Sequence, residues 1–133
     1  MLARRKSISA AEIVRHPLIG IDPTDPYGGI MAEIFERQRL TYEIPIKARF
    51  GTTVCALVKA GLGIAVIDQF TIAHDGVPGV KVLRIEEPTT FHTYVAMKAG
   101  RQPSGFARSF IDLLRGEMHG VVRRPTIRKP ERV

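Results

Sequence analysis

The chain has one cysteine, Cys55. No disulfide can form within it, and a reducing cytosol fits. Cys55 lies among apolar neighbours and reads as a small core residue, not a nucleophile. No apolar run approaches the roughly 20 residues that a helical membrane span needs. The start, Met1-Leu2-Ala3-Arg4-Arg5-Lys6, is charged with no apolar stretch behind it, so it is not a secretory leader. The histidines, at 16, 74, 92 and 119, fall on unrelated segments. There is no Walker pattern, no zinc-ligand spacing and no His-Glu pair on a predicted helix. Nothing local supports a catalytic residue, a metal ligand or a cofactor site. Gly61-Leu62-Gly63 lacks the third glycine of a dinucleotide fingerprint, and it stands between a helix and a strand in the wrong order. There is no internal repeat.

What is present is an ordinary soluble composition: 133 residues, 44% hydrophobic and 25% charged. That suffices for one domain with a real core, or for part of a larger one. The net charge is +7. Arg4, Arg5 and Lys6 supply three of these charges. Residues 121–133 supply the rest, through Arg123, Arg124, Arg128, Lys129 and Arg132 against Glu131. Residues 8–120 are neutral, which disfavours a nucleic-acid groove built on a folded face. The basic ends allow only weak, salt-sensitive binding to anions, including nonspecific nucleic-acid binding.

Hydrophobic patterning predicts alternating strands and helices. Residues 1–9 read as a basic connector. Ser9 and Glu12 have capping-box spacing, which predicts a helical turn over 10–15. Pro17–Ile21 is a short apolar strand. Asp22–Gly29, with two prolines, two aspartates and two glycines, reads as irregular. Residues 30–39 form a helix with Ile30, Met31, Ile34 and Phe35 on one face, and Thr24 or Asp25 near its start. Glu43–Phe50 alternates, with Ile44, Ile46 and Ala48 on one side. Thr52 and Thr53 are placed to cap a helix that Gly61 ends. Gly63–Ile67 is apolar without alternation, as in a strand buried on both faces. Residues 74–79 are a loop, and strands are expected at 80–85 and 91–97. Ser104 caps a final helix that carries Phe106, Phe110, Ile111, Leu113, Leu114 and Met118. Beyond Gly120 the chain reads as a basic, disordered tail. The whole implies an α/β fold with an open, mostly parallel sheet and helices on both faces.

In such sheets ligands bind beyond the carboxyl ends of the strands, where helix N-termini point their free N–H groups. Three segments qualify: Asp22–Gly29, Phe50–Thr53 and Asp68–Phe70. Thr24, Thr52 and Thr53 suit a carboxylate; Asp22, Asp25 and Asp68 suit an amine; Tyr27, Phe50 and Phe70 suit an aliphatic body. Together they suit an amino acid or a derivative of one. Equally, Thr52 and Asp25 serve as helix caps and nothing more.

Ala56-Leu57-Val58-Lys59-Ala60-Gly61-Leu62-Gly63-Ile64-Ala65-Val66-Ile67 resembles the "LVAAGLGIALLP" segment of the effector-binding domain of LysR-type transcriptional regulators. Leu2–Ser9 is similar to the linker that precedes "L-x-x-x-P-L-I", matched by Ile13 and His16-Pro17-Leu18-Ile19. Ser104–Arg115 is similar to the family's final helix. The likeness covers about residues 2 to 118. Thr24-Asp25, Phe50–Val58 and Asp68–Thr71 look most like regulators of opine and basic amino-acid metabolism. The resemblance implies a periplasmic-binding-protein-like lobe, the second of two that enclose a small-molecule effector, plus a C-terminal return to an incomplete first lobe. On this reading residues 10–118 are the effector-binding fragment, between a 1–9 connector and a 119–133 tail. It implies a cytoplasmic regulator that is no enzyme, has no membrane partner and forms a homodimer or higher oligomer. DNA would be engaged only through a winged helix-turn-helix that this chain lacks. A fragment acting by self-association is the alternative, because a missing first lobe would expose apolar surface on the last helix.

Overall fold

The computed structural model describes residues 2–73, 76–90 and 92–123. Expectations for Phe91, for His74 and Asp75 in the 74–79 loop, and for the tail beyond Arg123 lie outside these residues. The chain divides into two compact units, Met1–Thr90 and Phe91–Val133.

In the first unit, a 3-10 turn (Leu2–Arg4) precedes strand β1 (Ser7–Ile8) and helix α1 (Ala10–Ile13). Secondary structure therefore begins inside the stretch read as a connector, and Arg5 is ion-paired with Glu12. Ser9 caps α1 by accepting the Glu12 N–H at 3.3 Å, as its spacing predicts. Strand β2 (Ile19–Gly20) leads to helix α2 (Pro26–Arg37). Strand β3 (Ile46–Lys47) leads to helix α3 (Gly51–Lys59), and strand β4 (Arg84–Ile85) follows. Pairing is parallel throughout. β1 pairs with β4, Ser7 opposite Arg84. β2 pairs with β3, Ile19 opposite Ile46. On its other edge, β2 meets the 64–67 segment through a parallel bridge, Leu18 to Ile64. β2 is thus the middle of three parallel segments.

Two apolar clusters cover the two faces. Leu18, Ile64 and Val66 belong to one, with Ala10 and Ile13 of α1 and Ala32, Ile34 and Phe35 of α2. Ile19, Ala65 and Ile67 belong to the other, with Val54 of α3. The apolar 64–67 run therefore divides its side chains between both faces, as its lack of alternation predicts. Ile19 and Val54 are 2% and 1% exposed. Burying each contributes about 1.5–3 kcal/mol.

The ladders are shorter than patterning suggests. Only Ile46–Lys47 of the 43–50 stretch and Arg84–Ile85 of the 80–85 stretch pair as strands, and residues 92–98 form no ladder. Ile44 and Ile46 do not share a face, as alternation had them: Ile44 packs in the first cluster and Ile46 in the second. Pro45, with no N–H to give a ladder, separates them. Helix α2 starts four residues earlier than expected and takes in Pro26–Gly29. Proline at the first helical position and Asp25 at the cap explain why. Its buried face is Gly28, Ala32, Ile34 and Phe35, while Ile30 is 40% exposed.

Both long helices of this unit end in the same way. In α3, the Gly61 N–H donates to the Val58 carbonyl at 2.9 Å and the Leu62 N–H to the Leu57 carbonyl at 3.3 Å. Gly61 sits at φ +80°, the left-handed residue this closure requires. In α2, Arg39 occupies the equivalent position at φ 52°.

The second unit holds helix α4 (Gly105–Arg123), whose start is capped by the Ser104 hydroxyl, 3.2 Å from the Ala107 N–H. The helix passes through Gly120, where sequence patterning had it end. Phe106, Phe110 and Leu113 are exposed along it. Among the described residues no helix is long and apolar enough to cross a membrane.

Candidate functional site

Three connections leave the carboxyl ends of β2, β3 and the 64–67 segment. The first is built by Asp22. Its Oδ1 accepts the N–H and the hydroxyl of Thr24, at 3.0 and 2.9 Å. Its Oδ2 accepts Lys47 Nζ at 2.8 Å, which ties β2 to the end of β3. Lys47 foremost, and then the two Thr24 bonds, lower the Asp22 acid to about 2. The Asp25 N–H donates to the Asp22 carbonyl at 2.9 Å. Asp25 Oδ1 then caps α2 by accepting the Tyr27 N–H at 2.9 Å. Gly28 seats this turn: a Cβ there would lie 2.0 Å from the Asp22 carbonyl oxygen.

The third connection turns on Asp68, which is buried at 8% exposure. Its carboxylate accepts the Tyr27 hydroxyl. It also accepts the Thr71 hydroxyl at 2.6 Å and the Thr71 N–H at 2.9 Å. Burial alone would raise its pKa. The hydrogen bonds from Thr71 and Tyr27 and from the Thr71 and Phe70 backbones outweigh burial and hold it below the ordinary carboxylate range. Burial, and then the bond to Asp68, push the Tyr27 phenol up to about 12. A neutral phenol therefore donates to an ionised carboxylate at neutral pH. Burial, and then the Asp68 charge, raise the Cys55 thiol above its ordinary value.

The second connection opens α3. Phe50 is the N-cap residue, extended at φ −125° and ψ 142°, and no side chain caps the helix. Here the sequence-based expectation fails. Thr52 and Thr53 lie inside the first turn, past the Phe50 cap position, and both are exposed. The first helical bond runs from the Val54 N–H to the Phe50 carbonyl at 3.1 Å. The N–H groups before it form an end that favours negative charge. Phe50 is 64% exposed beside it.

The nine predicted residues fall on the three connections, and hydrogen bonds link Asp22 to Thr24 and Tyr27 to both Asp25 and Asp68. Gly51 joins α3 to the third loop, since a Cβ there would lie 3.0 Å from Thr71 Cγ2. Asp22 and Asp68 already hold protein donors on both carboxylate oxygens. Asp25 is exposed and caps through Oδ1. Sequence reasoning missed Lys47 and Thr71. Lys47 was legible as the polar position of an alternating strand whose end reaches the Asp22 loop. Thr71 stands three residues after Asp68, the spacing at which a cap-type aspartate accepts a following backbone N–H. Among the described residues, no group of three or more His, Cys, Asp or Glu is placed to hold a metal ion.

Residues 1–119 match the family model described as the LysR substrate binding domain. The chain belongs to that family. This LysR domain is 28% identical over 115 residues to the HTH-type transcriptional activator CmpR of Synechocystis, covering 85% of this chain and 38% of that protein. It is 23% identical over 109 residues to the transcriptional activator protein LysR of Escherichia coli, covering 82% of this chain and 35% of that one. In fold it is similar to HinK, a LysR family transcriptional regulator from Pseudomonas aeruginosa. The TM-score is 0.67 at 22% identity, over 88% of this chain and 41% of that one. The chain thus spans well under half the length of the relatives it matches. Those relatives are named as regulators, not enzymes, and the periplasmic-binding-protein-like α/β fold of the LysR domain is the one expected from the sequence.

Proposed function

We propose that this LysR domain senses a small carboxylate-bearing effector, amino-acid-like, without transforming it. One observation carries the reading: α3 opens with no side-chain cap on a surface that also holds the Asp25, Tyr27 and Asp68 connections. The uncapped N–H groups and the Thr52 and Thr53 hydroxyls would take the carboxylate. Asp25, exposed, would take the amine, and Phe50, Tyr27 and Phe70 would flank the aliphatic part. The likeness of Phe50–Val58 and Asp68–Thr71 to regulators of opine and basic amino-acid metabolism supports the same chemistry. Joined to a DNA-binding domain, in a cytoplasmic homodimer or larger assembly, the effector would act by favouring one arrangement of the protein over another.

A ligand at one hundred times its Kd stabilises by about 2.7 kcal/mol. Thermal-shift titration with basic amino acids, opines and their carboxamides tests the reading. The acids raise the midpoint and the carboxamides do not. Equal shifts from both, or no shift with Thr52→Ala and Asp25→Ala indistinguishable from the native chain, refute it.

A second reading rests on α4. Phe106 is 92% exposed and Leu113 66%. Such a surface favours association with another protein surface, and sedimentation as a monomer at high concentration sinks it.

A further inference from the structure

Thr71 stands between the buried carboxylate of the third loop and the first residue of α3. Its hydroxyl and its N–H both donate to Asp68, at 2.6 and 2.9 Å. The same carboxylate accepts the Tyr27 hydroxyl from the first turn of α2. On its other side, Thr71 faces the first residue of α3. A Cβ on Gly51 would sit 3.0 Å from Thr71 Cγ2 and 3.1 Å from Thr71 Oγ1. Glycine is therefore what lets the start of α3 come so close. The helix end most suited to an anion has no cap of its own, and it leans on a residue held by a buried carboxylate.

The geometry points to Thr71, with Asp68, as a positioning clasp: it sets the N-terminus of α3 against the N-terminus of α2 without touching the effector. Asp68 then acts on ligand affinity through position, not as a partner for an amine. Both its oxygens accept protein donors and its side chain is buried, so a ligand amine would have to displace those bonds. The clasp's effect on ligand rests on the function proposed above. Its effect on α3 does not.

The full chain serves for the test, with hydrogen exchange of the Val54 amide as a reporter of the first turn of α3. The Phe35 amide, in the buried part of α2, reports global opening. Thr71→Val keeps shape and removes the hydroxyl, Thr71→Ser restores it, and Asp68→Asn weakens the acceptor. Thr71→Val and Asp68→Asn are expected to speed Val54 exchange about tenfold while leaving Phe35 within twofold. Thr71→Ser, which keeps the hydroxyl but lacks the Cγ2 methyl that faces Gly51, is expected to stay closer to the native chain than Thr71→Val does. Titration with L-lysine and with hexanoate, which shares its carbon chain and carboxylate but has no amine, should show Thr71→Val weakening both by a similar factor. Unchanged Val54 exchange in Thr71→Val overturns the clasp, as does equal acceleration at Val54 and Phe35. Asp68→Asn weakening L-lysine but not hexanoate overturns the positional role in favour of amine contact. Altered exchange with no binding of either probe supports the clasp and refutes the proposed function.

Discussion

Gly28→Ala inverts the usual effect of replacing a helical glycine. In an open helix that change stabilises by about 1 kcal/mol. Here the new Cβ would lie 2.0 Å from the Asp22 carbonyl oxygen, 2.7 Å from its carbon and 2.9 Å from the Ile21 oxygen. Contacts under 3.0 Å do not persist, and all three atoms are backbone, so a segment must move by about an ångström. Overpacking of this kind costs about 1–3 kcal/mol, and unyielding backbone places it at the upper end. The same movement loosens the Asp25 cap on the Tyr27 N–H. A net loss of about 2 kcal/mol is expected. Gly29→Ala is the internal control: its Cβ meets only the Pro23 oxygen, at 3.2 Å. That asks for a few tenths of an ångström and is expected to be close to neutral. The chain has no tryptophan, and two of its three tyrosines, Tyr27 and Tyr42, lie in the first unit, so tyrosine fluorescence follows urea unfolding. With a slope of about 2 kcal/mol/M, Gly28→Ala should lower the midpoint by about 1 M. If Gly28→Ala proves as stable as Gly29→Ala, the start of α2 is not seated on the Asp22 carbonyl.

Tyr27→Phe removes a hydrogen bond to a buried charge and should cost about 1.5–3 kcal/mol at neutral pH. The folded Tyr27 pKa is raised to about 12, so its contribution is complete below the unfolded value of about 10 and is lost as pH rises through 12. The native chain should therefore lose stability more steeply than Tyr27→Phe over that window, in urea titrations at successive pH values. Asp68, lowered, gives the opposite limb: its contribution is present above the ordinary carboxylate pKa and fades on acidification. Asp68→Asn should flatten the acid limb. Lys47→Met should raise the Asp22 titration from about 2 toward the ordinary range, stopping short because the Thr24 bonds persist, as followed by carboxyl carbon NMR. Arg39→Gly relieves a left-handed residue at the end of α2 and should raise the urea midpoint by the equivalent of about 0.5–1 kcal/mol.

Much of the fold was legible from local rules. The Ser9 and Ser104 caps, the Gly61 stop and the two-faced burial of 64–67 follow from donors, backbone freedom and apolar runs that sit close in sequence. Strand extents were not legible. A residue joins a ladder only if a partner lies at the right spacing, and Glu43–Pro45 and residues 92–98 have none within the described part of their units. The start of α2 was misjudged because Asp22–Gly29 has the composition of a loop. Its glycines and Pro26 are instead what allow a helix to begin hard against the preceding strand.

The sequence by itself determined which loops lie at the carboxyl ends of the parallel strands. Alternating strands and helices leave little choice there. Only tertiary structure decided what the residues of those loops do. It committed Asp22 to Lys47 and Thr24, buried Asp68 under Tyr27 and Thr71, and left α3 without a cap. Those roles depend on atoms up to about forty positions apart in the chain meeting within hydrogen-bond reach, as Tyr27 and Asp68 do. No local pattern encodes such a meeting, because it is fixed by how the strands pack.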